Sequence, residues 1–127
     1  MEKEQLNTFD KELLLKDLCS RIPYGVKMNH IADEEICPLT LVGVAKDMIT
    51  LQGGGGYACT CVEDYTPYLF PLSSMTEEQR NEYNELLYDP IHGINIDYFD
   101  WCHKNHLDCR GLIPKGIAID ATGLNIY

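Results

Sequence analysis

The chain has 127 residues, 45% of them hydrophobic and 24% charged, the size and make-up of one globular domain that can bury a core without staples. Its 10 Lys and Arg stand against 20 Asp and Glu, a formal charge of −10, so counterion-releasing contacts to phosphate backbones are scarce and direct nucleic-acid binding is not expected. The polar start, Met1 to Gln5, lacks a signal-peptide pattern and no segment approaches the roughly 20 apolar residues of a membrane span, so the expected setting is cytoplasmic, without a membrane, and the six cysteines read as reduced thiols.

From Phe9 to Ile22 the apolar residues Leu14, Leu18 and Ile22, widened by Phe9, Leu13 and Leu15, recur at helical spacing, with Asn7 or Thr8 as cap. Pro23, Tyr24 and Gly25 stop that helix. The runs VKMNH, PLTLVGVA, MITL and YACTCV then predict a meander of short strands, divided at Asp33 to Glu35, at the Lys46-Asp47 pair and at Gly53 to Gly56. The YLFPL run is expected as an edge strand, because its prolines disfavour a central place.

At Thr76 the sequence TEEQ is a capping box opening a helix to about Tyr88, with Tyr83, Leu86 and Leu87 on its apolar face and Asp89-Pro90 at its end. Another helix is expected from Tyr98 to Arg110, capped by Asp97, stapled by Ile96 on Trp101 and closed by Gly111. These elements predict one α+β domain over 1–127, a small curved antiparallel sheet or SH3-like partial barrel flanked by about three helices: an N-terminal helix over about 9–22, a β-rich part over about 26–72, a helical part over about 77–110 and a short strand over about 117–120.

Chemically versatile residues concentrate after Trp101. On a continuous helix Cys102, His106 and Cys109 share one face, so a thiophilic ion such as zinc has candidate ligands, with Cys59 or Cys61 as a further donor, although the knuckle spacing of a zinc site is missing. Small buried thiols account for the same letters. His92, His103 and His106 beside Asp97 and Asp100 suggest nuclease chemistry, but the aspartates suit a helix start and surface histidines need no function. Gly53 to Gly56 lacks the Lys and Ser/Thr of a phosphate loop and reads as a flexible hairpin tip. Ser73 and Ser74 lack a nucleophile elbow. Tyr68, His106 and Arg110 are the candidate ligand-binding residues, Arg110 being the natural holder of an anion; no catalytic set is assigned.

The segments IPYGV, YLFPLSSMTEE and HLDCRGLIPKGIA, in this order between about Pro23 and Asp120, resemble a group of short proteins from Bacteroides-type gut bacteria and their phages or mobile elements. That resemblance carries no activity or cofactor, and the group lacks cysteines at the positions of Cys102 and Cys109. It implies a mobile-element setting and a noncatalytic binding or interaction module acting on a host protein or a small signalling ligand. The alternatives are a small hydrolase or ligand-processing enzyme using His106 and Arg110 with a neighbouring acid, and a zinc-stabilised structural domain.

Overall fold

The computed structural model describes residues 8–32, 38–87 and 96–127, without the side chains at 86, 87 and 96–99. Helix α1, Thr8–Arg21, buries Leu14, Asp17, Leu18 and Arg21 along one stripe. The helix ends as expected: Ile22–Tyr24 tightens into a 3-10 turn, Pro23 brings no N–H, and Gly25 at φ 68° closes it with its N–H on Ile22 O. Phe9 departs from the expected stripe and is 69% exposed.

The strands are β1 (Lys27–His30), β2 (Leu39–Ala45), β3 (Met48–Gly53), β4 (Gly56–Cys61), β5 (Tyr65–Leu69) and β6 (Ile119–Asp120), in the order β4-β3-β2-β1-β5-β6. β1 to β4 form the expected antiparallel meander, β5 returns to pair antiparallel with the free side of β1, and β6 pairs parallel to β5, which makes the open sheet mixed. Lys46 and Asp47 form a two-residue turn closed by the Ala45–Met48 pair, with Lys46 at φ 57°. The glycine tip is tighter than a flexible loop. Gly53 and Gly56 pair, and only Gly54 and Gly55, at φ 58° and 85°, make the turn.

β5 corrects the edge-strand expectation, since β1 and β6 flank it. Ile31 N–H donates to Asp64 O, so hydrogen-bonded partners alternate along β5 and Pro67 turns its missing N–H away from β1. On that other side pairing starts only at Tyr68–Ile119, so the proline interrupts no ladder.

α2 (Glu77–Leu87) begins at the expected capping box: Gln79 N–H donates to Thr76 Oγ1 at 3.1 Å, and Thr76 N–H to Gln79 Oε1 at 3.0 Å. α3 covers Ile96–Lys104 and stops six residues short of Arg110. His106, at φ 57°, takes the left-handed position expected for Gly111; its N–H reaches His103 O and Leu107 N–H reaches Cys102 O, the paired bonds of a Schellman motif. Tertiary pairing then captures the chain, because Phe70 N–H donates to His106 O and Asp108 N–H to Phe70 O, both at 2.8 Å. The GIAID strand is confined to Ile119–Asp120.

The main core lies between α1 and the sheet, around Leu14, Leu18, Met28, Leu41, Ile49, Leu51 and Leu69. A smaller cluster joins Cys102 and Leu107 to Phe70, Tyr83 and Trp101, and Trp101 Nε1 donates to Glu82 at 2.7 Å, tying α3 to α2. The expected turn at Asp33 to Glu35, the cap at Asn7, the stop at Asp89-Pro90, Cys37 and His92 lie outside the described residues, as do the side chains of Leu86, Leu87, Ile96 and Asp97. Among the described residues no helix is long and apolar enough to cross a membrane.

Candidate functional site

The early end of α3 disperses the residues that sequence spacing had grouped. Cys102 and His103 stay on the helix and point inward, whereas His106 leaves through the left-handed turn and Cys109 and Arg110 follow in the loop. Cys102, His106 and Cys109 therefore share no helical face. His103, at 1% exposure, is no surface histidine, and its Nε2 lies 4.0 Å from Cys109 Sγ. A hydrogen bond to Cys102 and then burial push the Cys109 thiol up, which keeps it protonated at neutral pH. Among the described residues no three His, Cys, Asp or Glu side chains gather as a metal site.

Tyr68, His106 and Arg110 engage three different partners. Tyr68 is buried on β5 and its hydroxyl donates to Asn29 Oδ1 at 2.9 Å. His106 stacks on Tyr127, whose hydroxyl donates to Tyr68 O at 2.7 Å and accepts from Lys27 N–H at 2.8 Å. Burial, then the charges of Arg21 and Lys27, hold the imidazole down at about 4, so the ring is neutral at neutral pH. Burial pushes the Tyr127 hydroxyl up to about 12, keeping its proton available for that bond. Arg110 Nε faces Asp17 Oδ1 at 3.3 Å.

Asp17 is the centre that the helical stripe concealed. It is fully buried and receives Arg21 Nε at 2.6 Å and Arg21 Nη2 at 3.3 Å, with Arg110 Nε and, at 3.7 Å, His103 Nε2 around it. Arg21 Nη2 also donates to Leu107 O at 2.7 Å, which ties α1 to the turn after α3. The available signal was local: Asp17 and Arg21 stand at i and i+4 on the same stripe as Leu14 and Leu18, where a helix facing a core carries no unpaired charge. This cluster joins elements and excludes solvent; Asp17, Arg21 and His103 are each at most 1% exposed. The acid beside Arg110 is Asp17, which faces His103, and among the described residues no ion pair joins an acid to His106.

A groove of about 270 Å³ runs past Thr76, Gln79, Asn105 and Thr122, and none of the sequence-derived site residues lines it. The contrasting surface is the outer face of β2–β4. Tyr57 is 71% exposed opposite Gln52 near the glycine turn, Met48 is exposed at the other end of the hairpin and Val42 on β2, and the outward thiols Cys59 and Cys61 share β4 with Tyr57. Val42 reaches this face through the irregular register between Leu41 and Gly43. No position of β2, β3 or β4 is Asp, Glu, Lys or Arg, in a chain carrying a formal −10. No protein family, curated protein or solved structure matches the chain.

Proposed function

We propose that this chain is a noncatalytic interaction module of phage or mobile-element type, which binds a host protein in the bacterial cytoplasm through the outer face of β2–β4. The carrying observation is a sheet face without a charged position on β2, β3 or β4, on which Val42, Met48 and Tyr57 are exposed, in a chain of formal charge −10. Charge depletion around an exposed aromatic residue characterises the centre of a protein interface, and tyrosine is enriched among the residues that dominate binding energy. β4 is also the sheet edge, with no strand outside it among the described residues, so its backbone is open to a partner segment. Support for the absence of catalysis is geometric: Tyr68, His106 and Arg110 are spent on internal contacts.

The test is affinity capture from an extract of Bacteroides-type cells with tagged wild type, Tyr57→Asp and, as a control on α1, Phe9→Asp. A partner held by wild type and by Phe9→Asp, and lost with Tyr57→Asp, is the expected result; loss of a central aromatic anchor costs about 2 kcal/mol or more. Capture of nothing, or of a partner indifferent to Tyr57→Asp, overturns the reading.

A further inference from the structure

The hairpin of β3 and β4 places three sulfur atoms on its outer face. Its register pairs Met48 with Cys61 and Thr50 with Cys59. Directly paired residues project to the same side, and residues two apart on a strand do so as well, so the four side chains form one square. Cys61 Sγ lies 3.9 Å from Met48 Sδ, and Cys59 Sγ lies 3.3 Å from Thr50 Oγ1. Met48, Cys59 and Cys61 are all exposed.

This arrangement suits a shared ion better than a disulfide. Two rises of a strand separate Cys59 and Cys61 by about 6.7 Å with parallel side chains, at the far limit for an S–S bond. An ion with metal–sulfur bonds of about 2.3 Å spans sulfurs up to about 4.6 Å apart, so it asks for less convergence of the two thiols than an S–S bond of about 2.05 Å. With metal–sulfur bonds of about 2.3 Å, a sulfur separation of 3.9 Å subtends roughly 116° at the ion, between tetrahedral and trigonal. The donors then decide the element: two thiolates and a thioether, with no imidazole or carboxylate on these strands, are soft ligands that select Cu(I) over zinc.

We propose that Met48, Cys59 and Cys61 form a site for a soft monovalent cation, Cu(I). Binding replaces the two S–H bonds by two metal–sulfur bonds and releases two protons to solvent; the thioether adds as a neutral donor and the oxidation state of copper is unchanged. Thr50 Oγ1, already against Cys59 Sγ, donates its O–H to the thiolate and orients it. The site needs no partner protein, so its failure and that of the interaction reading are separable.

The test is an anaerobic Cu(I) titration of the purified, reduced chain against a chromophoric Cu(I) chelator. Wild type and Cys19→Ser, which alters an exposed thiol on α1, are expected to withhold the same single equivalent. The double change Cys59→Ser with Cys61→Ser is expected to lose it. Met48→Leu, which keeps shape and removes only the sulfur, is expected to weaken it by about tenfold or more, the least that loss of a supporting group costs a metal site. Failure of wild type to compete, retention by the double variant, or an unchanged affinity in Met48→Leu each overturns the proposal. Circular dichroism on every variant verifies that the fold is retained.

Discussion

The imidazole of His106 lies flat against the ring of Tyr127, centroids 3.7 Å apart and planes 13° from parallel. The contact joins the turn that ends α3 to the irregular segment after β6, and the same tyrosine donates to Tyr68 O on β5. His106 is thereby held neutral, in a left-handed conformation that few side chains other than glycine adopt readily.

The pH response follows from that neutral ring. Its folded value of about 4 lies below the ~6.5 of a free histidine, so the unfolded chain takes the proton first. The stabilisation is therefore complete above about pH 6.5 and is lost as pH falls through about 4. Urea midpoints of wild type and His106→Asn, whose side chain tolerates the left-handed turn, are expected to converge over that interval; a gap constant with pH contradicts the assignment.

Asp17→Asn leaves Arg21 buried beside a neutral partner, and breaking a buried pair in this way costs about 3–5 kcal/mol. Replacing both, Asp17→Leu with Arg21→Met, is expected to recover much of the loss, though not the bond from Arg21 to Leu107 O. A double-mutant cycle in urea measures the coupling, and additive losses contradict it.

The Asp108 carboxylate accepts Leu112 N–H at 2.7 Å and Ile113 N–H at 2.8 Å, holding the loop that seats Leu112 in the core. Asp108→Ala orphans both donors at about 1–3 kcal/mol each, and Asp108→Asn, which keeps one acceptor oxygen, is expected to fall between. Thermal unfolding of the three proteins provides the ranking.

Thr76→Ala removes one half of the capping box and is expected to cost about 1 kcal/mol, whereas Thr76→Ser is expected to remain close to wild type. Chemical denaturation distinguishes the two; equal losses show that the hydroxyl contributes nothing.

The sequence by itself determined what a few neighbouring residues decide. Thr76 and Gln79 cap α2 within one turn, Pro23 and Gly25 stop α1, and the Lys46-Asp47 and Gly54-Gly55 pairs close two-residue turns, because each signal acts through backbone groups one to four residues away. The alternation from Val26 to Val62 was enough for an α+β fold built on a meander. Only the tertiary structure decided the end of α3, where pairing with Phe70 takes the backbone of His106 and Asp108 and moves the stop from Gly111 to His106. The same contacts assigned the site residues their partners: Arg21 reaches Leu107 and Tyr127 reaches Tyr68 across 86 and 59 positions. Such pairings depend on which faces the collapsed chain brings together, and Pro67 shows the limit of the local rule, since an interior strand admits a proline once its neighbour begins one residue later.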